Sequence, residues 1–327
     1  MSVKQWEVYD LSNRSSENTV VVGDDRHRIE RALAEFSNTR EFYVDGGSNV
    51  NIDAWRERIV RKPCEFESVL EDRDVDRVVL AFQETDRNGF FGILRTCRSH
   101  TVEAAVHTDH CSKVLVDDVC NEWATVVLEP FSRRQRAVKR AFDVTFAAVG
   151  LVALAPIIAV IALAIKLDSS GPVLYSQRRT GLLGATFQLH KFRTMYTDSE
   201  NAKPEHDEEN DRITSVGAVL RRTNMDEIPQ LWTILRGEMS VVGPRAAWVK
   251  EERLLEETVE EWPKRWFIKP GLTGVAQING VSSTASEEKL RHDLEYIRRQ
   301  SIVLDIRIVC RQLWTVAKDI RMLIATK

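Results

Sequence analysis

The chain has 327 residues, 43 % hydrophobic and 29 % charged, with a formal net charge of −3. That balance excludes a disordered class and a strongly basic nucleic-acid-binding class, and the length allows one large or two ordinary domains. Five widely spaced cysteines (Cys64, Cys97, Cys111, Cys120, Cys310) without a C-x-x-C pair argue against a disulfide framework or zinc site and point to a reducing compartment.

The first 18 residues hold no apolar run of signal-peptide length, so the first region is expected to stay in the cytoplasm. No internal repeat is visible. Thr19–Gly23, "TVVVG", reads as a strand entering a turn, and "RHRIERALAEF" follows at helical spacing. Val- and Phe-rich runs recur at "EFYVDGG", "VDRVVLAF" and "TVEAAVHT", with "GFFGILRTCRS" as a helix between the last two. Alternating strand and helix signals predict a Rossmann-like α/β module with a parallel sheet over residues 1–132. The turn "GDDRHR" lacks G-x-G-x-x-G, and Asp24 and Asp25 stand where a pyrophosphate would need bare amides, so a regulatory or scaffolding module is expected rather than a dinucleotide site.

Residues 133–168 form the second region. "RRQRAVKR" at 133–140, ending in Arg140, precedes the uncharged run Val144–Ile165, and Lys166 closes it. About 22 apolar residues suffice to cross a bilayer, and cations at both ends favour anionic lipid. Pro156 removes one backbone donor near the midpoint, so the run is either a kinked spanning helix or two short arms that enter and leave by one face. Periodicity does not separate the two.

Residues 169–327 carry the chemistry. In "FQLHKFRTM", Lys191 and Arg193 stand two apart on a predicted strand, as phosphate-binding cations or as a solvated face. The acid-rich stretch 197–212 reads as a surface loop. In "VLRRTNMDEIPQLWTILRGEMSVVGPR" a helix is expected to begin near Asp226–Glu227, with Pro229 in its first turn and Gly237 ending it. Adjacent carboxylates point about 100° apart on a helix, so they divide a task rather than share a proton. One can attack phosphorus while the other helps hold a divalent cation such as Mg²⁺.

These motifs, with "KPGLTGVAQINGV" and "DLEYI", closely resemble the bacterial sugar transferase family over roughly 135–320, the monotopic polyprenyl-phosphate phosphoglycosyl transferases. The resemblance implies an α+β catalytic domain with a re-entrant membrane helix hairpin at the cytoplasmic face of the inner membrane. It implies transfer of a sugar 1-phosphate from a UDP-sugar to undecaprenyl phosphate, with Mg²⁺ required and UMP released. Asp226 corresponds to the nucleophile and Glu227 to its partner. Lys191, Arg193, Arg221 and Arg245 correspond to the family's basic residues, and Asp293 to the acid of its "DLxYI" element. This chain has Ala246 where the family has a second proline in Gly-Pro-Arg-Pro, which predicts a looser turn, and Asn224-Met225 where Ser-Leu is usual. The soluble module resembles that of longer members without their bundle of spanning helices, leaving the apolar run as the candidate membrane element.

Two readings stay open for Trp262 and Trp266: amphipathic rings at a headgroup layer, or core. The stripe Ile302, Ile306, Val309, Leu313, Val316 and Ile320 is expected to pack on the domain. A membrane-tethered binding scaffold and a nucleotide-sugar phosphodiesterase are the competing functions. Lipid, UDP-sugar and undecaprenyl phosphate are the expected partners, nucleic acid is not, and a homo-oligomer is compatible with the sequence.

Overall fold

The computed structural model describes residues 6–10, 18–37, 56–60, 63–71, 75–197, 211–282 and 285–325. They fall into two units. The predicted strand at 41–47 and most of the acid-rich loop lie outside the described residues.

The first unit comprises Met1–Pro130, Leu183–Ala185 and Glu260–Phe267. Its strands are β1 (Trp6–Asp10), β2 (Thr19–Gly23), β3 (Arg56–Val60), β4 (Arg77–Ala81), β5 (Glu103–His107), β6 (Val116–Cys120) and β7 (Trp123–Val126). They form one sheet in the order β3-β1-β2-β4-β5-β7-β6. The expected parallel sheet is confined to β2-β4-β5, and the outer pairs run antiparallel. The reason is local: β6 and β7 are joined by a two-residue turn with Asn121 at φ 52, a hairpin connection that cannot join parallel strands.

The helices of this unit are α1 (Arg26–Ser37), α2 (Pro63–Glu71) and α3 (Phe90–His100). The stripe Ile29, Ala32 and Leu33 of α1 packs on Val21, Val79, Ala81 and Trp123. Gly23 is required by close approach, because a Cβ there would sit 1.9 Å from the Ala81 carbonyl oxygen. Asp24 accepts from the Gln83 amide, and Asp25 accepts from the Arg28 amide at the start of α1. Asp25 thus occupies a backbone amide at the start of α1 that a bound pyrophosphate would use. Trp262 and Trp266 are 1 % and 4 % exposed, Trp266 stacking edge-on against Phe91 and beneath Arg87, which makes them core residues of this unit.

The second unit holds Phe131–Leu182, Thr186–Val259 and Ile268–Lys327. It opens with α4 (Arg133–Asp168), started by a capping box between Ser132 and Gln135. An antiparallel hairpin follows, β8 (Leu174–Thr180) with β9 (Thr186–Phe192). Then come α5 (Ser215–Arg222), α6 (Gln230–Arg236), β10 (Ser240–Val242), α7 (Val249–Thr258), β11 (Gly271–Thr273), α8 (Val275–Ile278), α9 (Ser286–Arg299) and α10 (Ile302–Ala325). β10 and β11 pair in parallel, and Gly243 and Gly271 let their loops interlock: a Cβ on Gly271 would lie 2.1 Å from the Gly243 amide nitrogen.

The hairpin expected at Pro156 does not show as two separate helices. α4 is one continuous helix, with a stripe facing the unit at Asp143, Ala147, Ile161 and Ile165 on either side of the proline. Gly150 lies against Leu231, and Ile161 and Ile165 join Phe192 and Leu220 in a core. Losing one backbone hydrogen bond is outweighed by packing on both sides of it. The opposite face is apolar and open: Val152 is 78 % and Leu167 79 % exposed. The cations are not a uniform flank either. Arg140 donates to the Ile234 and Leu235 carbonyl oxygens, both at 2.7 Å, closing the C-terminus of α6. Lys139 turns inward to Asp305 at 2.9 Å, while Lys166 is exposed and donates to the Gly171 carbonyl.

The α10 stripe divides. Val309 is buried, but Ile306 and Leu313 are exposed. The helix is turned by Asp305, which is fully buried between Lys139 and the Tyr296 hydroxyl (2.7 Å), so Asp305, Ile308 and Val309 form the inner face.

Candidate active site

The Asp-Glu pair lies on a single 3₁₀ turn, Met225–Glu227, between α5 and α6. The regular helix begins later than expected, at Gln230 after Pro229, and ends at Gly237 with φ 87 as anticipated. Asn224 precedes the turn at φ 54, a left-handed conformation that asparagine tolerates better than most residues. Met225 and Ile228 pack on the Ile161–Phe192–Leu220 core. The turn is therefore fixed from below by the same side chains that seat α4.

Two cations converge on the dyad. Lys191 Nζ, from β9, lies 2.6 Å from Glu227 Oε1 and 3.4 Å from Asp226 Oδ2. Arg245 Nη2 donates to the same Glu227 Oε1 at 2.9 Å. Burial pushes both carboxyl groups up, but with different outcomes. At Glu227, Arg245 and Lys191 outweigh it and hold the group at about 2. At Asp226 burial prevails over the opposing pull of Lys191, so this carboxyl stays above its ordinary value. One acid is a clamped anion and its neighbour a more basic one, a division typical of paired carboxylates with separate tasks. Lys191, Glu227 and Arg245, with Arg179, Leu189 and Gln230, line a small open cleft in which three cations face one acid, and Asp226 lies buried behind it against Lys191.

The remaining predicted residues lie elsewhere or at the margin. Arg221 donates to Thr194 Oγ1 at 3.4 Å and is close enough to lower the Asp226 carboxyl. Arg193 falls one residue past β9 and is 5 % exposed. Its guanidinium donates to the carbonyl oxygens of Ser170 (2.7 Å) and Ser169 (2.8 Å), so it closes the C-terminal end of α4. Asp293 is buried on α9 and does not line the cleft. Arg179 and Gln230 line it without having been assigned a role from sequence. The strand register held the missing signal for Arg179: Tyr175 pairs with Lys191, so Arg179, four residues along β8, shares the Lys191 face.

A sequence model for bacterial sugar transferases matches residues 134–319. The chain belongs to the bacterial sugar transferase family. It is 42 % identical over 215 residues to an undecaprenyl-phosphate glucose phosphotransferase of Komagataeibacter xylinus, covering 60 % of this chain and 40 % of that protein. It is 41 % identical over 182 residues to the exopolysaccharide production protein PSS of Rhizobium leguminosarum bv. phaseoli, covering 53 % of this chain and 91 % of that one. A UDP-N-acetylgalactosamine-undecaprenyl-phosphate N-acetylgalactosaminephosphotransferase of Aeromonas hydrophila is 33 % identical over 186 residues, 55 % of this chain and 43 % of that protein. The chain thus spans about two-fifths of the length of the first and third relatives.

Within the family motif, the Gly-Pro-Arg-Ala turn is tied to β8 rather than loose. Arg179 Nη1 donates to the Ala246 carbonyl at 3.0 Å, and the Thr180 amide to Ala247 at 3.2 Å. The donor set also fits Mg²⁺. Asp226 and Glu227 supply adjacent carboxylates, and a hard cation needs only one or two when phosphates and waters complete its shell.

Proposed function

We propose that the chain transfers a sugar 1-phosphate from a UDP-sugar to undecaprenyl phosphate, releasing UMP and starting exopolysaccharide or related glycan assembly. The observation that carries this reading is the convergence of Lys191 and Arg245 on the Asp226–Glu227 turn in a cation-lined cleft. The names of its relatives support it, two of them specifying undecaprenyl-phosphate sugar transfer and one exopolysaccharide production.

In this mechanism an Asp226 carboxylate oxygen attacks the sugar-bearing phosphorus. The bond from that phosphorus to the bridging oxygen breaks, and UMP leaves with the electron pair. A phosphate oxygen of the lipid acceptor then attacks the same phosphorus and frees Asp226. Burial favours Asp226 for this role, because it leaves the more basic carboxylate in the position of nucleophile. Glu227 fixes Lys191 and Arg245 against the phosphate oxygens. Mg²⁺, held by Asp226 and Glu227, would neutralise phosphate charge during transfer.

The lipid acceptor requires membrane access, and α4 is the described element long and apolar enough to provide it. Both of its ends are bonded to one unit, through Arg140 and Asp143 at one end and Asp168 at the other. Both ends of the apolar run are therefore held by one body, while the stretch between Ala147 and Ile161 has no buried residue. That supports association with one face of the membrane, the open apolar side of α4 in lipid and both flanks cytoplasmic.

A scaffold has no use for a clamped dyad, and a phosphodiesterase would deliver the phosphosugar to water. Measuring UMP release from a panel of UDP-sugars, with and without polyprenyl phosphate, tests the assignment. Acceptor-dependent UMP release with a lipid-linked product is expected. Free sugar phosphate formed equally without acceptor would favour the phosphodiesterase.

A further inference from the structure

Of the three cations that line the cleft, the mechanism leaves Arg179 without a task. It stands on β8 on the same face as Lys191, and its guanidinium reaches the cleft beside Arg245. One terminal nitrogen donates to the Ala246 carbonyl, but Nε is buried with no hydrogen-bond partner among the described residues. A buried guanidinium N–H without an acceptor is costly, and buried charge without a counterion more so. Burial and then the like charge of Arg245 lower the Arg179 value, while Glu251 and Glu227 pull it back. Arg179, a residue of the cleft wall, thus has guanidinium donor capacity that the protein itself does not use.

We propose that Arg179 is a catalytic residue that binds the phosphate of the departing nucleoside monophosphate. This rests on the transfer reaction proposed above and assigns it a leaving-group site. Lys191 sits against both dyad carboxylates and so serves the phosphorus under attack. Arg179 instead donates to the Ala246 carbonyl and lines the cleft with Glu227 and Arg245, so it is assigned the next phosphate along the donor. When the bond between the sugar-bearing phosphorus and the bridging oxygen breaks, the electron pair stays on that oxygen as part of the nucleotide. The Arg179 guanidinium donates to this phosphate as its charge grows and remains protonated throughout. Removing such a donor is felt in the chemical step as well as in product binding.

The full chain in detergent micelles, titrated with UMP and with uridine, tests this. Wild type should bind UMP more tightly than uridine. In Arg179→Gln, affinity for UMP should fall by about 10- to 100-fold with uridine affinity unchanged. In turnover, kcat for UMP release should fall while KM for polyprenyl phosphate holds. Arg179→Lys, which keeps charge and packing but lacks the guanidinium, should lie between and serves if the glutamine variant does not fold. Unchanged UMP affinity in both variants would overturn the assignment. So would an equal loss for UMP and uridine, which marks a collapsed cleft, or an effect confined to the lipid acceptor. Wild type that binds UMP but turns over no UDP-sugar would contradict the proposed reaction and leave the nucleotide site standing.

Discussion

Lys191 Nζ lies 2.6 Å from Glu227 Oε1, closer than to Asp226 Oδ2 at 3.4 Å, so the lysine is anchored by one acid and offered to the other. Lys191→Met should cut kcat by about 100-fold or more, because it removes a charge from the reacting phosphate and leaves two buried carboxylates facing each other. Arg245, half-exposed on the outer side of Glu227, should behave differently: Arg245→Ala should raise KM for the UDP-sugar more than it lowers kcat. Steady-state kinetics with the donor varied at fixed acceptor distinguish the two, and an Arg245→Ala effect limited to the acceptor would misplace this residue.

Asp305 joins α10 to the start of α4 through Lys139 and to α9 through Tyr296. Asp305→Ala removes the nearest counterion of Lys139 and one acceptor of Tyr296, leaving both with the Val242 carbonyl, and should cost about 3 kcal/mol of stability. The double variant Lys139→Met, Asp305→Leu should recover much of that loss, since it removes both charges rather than one. Denaturant titration in detergent reads both, and a double variant no better than Asp305→Ala would show that the ion pair is not the source of the loss.

His110 in the first unit is 6 % exposed, and burial lowers it below its ordinary value of 6.5, with Arg28 and Lys113 acting in the same direction. The unfolded chain therefore takes up a proton at a higher pH than the folded one. Its contribution is fully present above about pH 6.5 and is lost as pH falls through the lower folded value. His110→Gln should flatten the melting temperature of this unit across that window. Equal pH slopes in the two proteins would argue against His110.

Much of the site was legible because its residues belong to motifs. Lys191 stands in one motif stretch and Asp226, Glu227 and Arg245 in another, and the fold brings them within hydrogen-bond reach. Arg193 and Arg140 look like site and flank cations in the same way, yet both close helix C-termini. Their acceptors are carbonyl oxygens 23 and 94 residues away, a relation no local pattern carries. Composition made the run Val144–Ile165 look featureless. Its inner stripe depends on Leu231, Phe192 and Leu220, so only tertiary packing could show that α4 continues past Pro156. For α10, a single buried acid set the helix rotation and moved Ile306 and Leu313 to the outside.

Cys120 and Cys310 are both exposed and lie on opposite sides of α4 in the chain, so they report its topology. In single-cysteine versions, an impermeant maleimide should label neither in intact cells and both after lysis. Pro156→Leu restores a helix hydrogen bond but leaves both ends of α4 bonded to the same unit, so the pattern should persist. Labelling of one cysteine but not the other in intact cells would mean that α4 crosses the membrane.

The central claim is that Asp226 becomes covalently phosphorylated by the sugar phosphate. Intact mass measured after mixing the full chain with a turned-over UDP-sugar, without acceptor, reads it most directly. The account predicts a gain of one sugar-phosphate mass, mapped to Asp226 by peptide analysis, lost on adding polyprenyl phosphate and not formed in Asp226→Asn. An active enzyme with no adduct, whose UMP release requires the acceptor from the first turnover, would contradict it and favour direct transfer in a ternary complex.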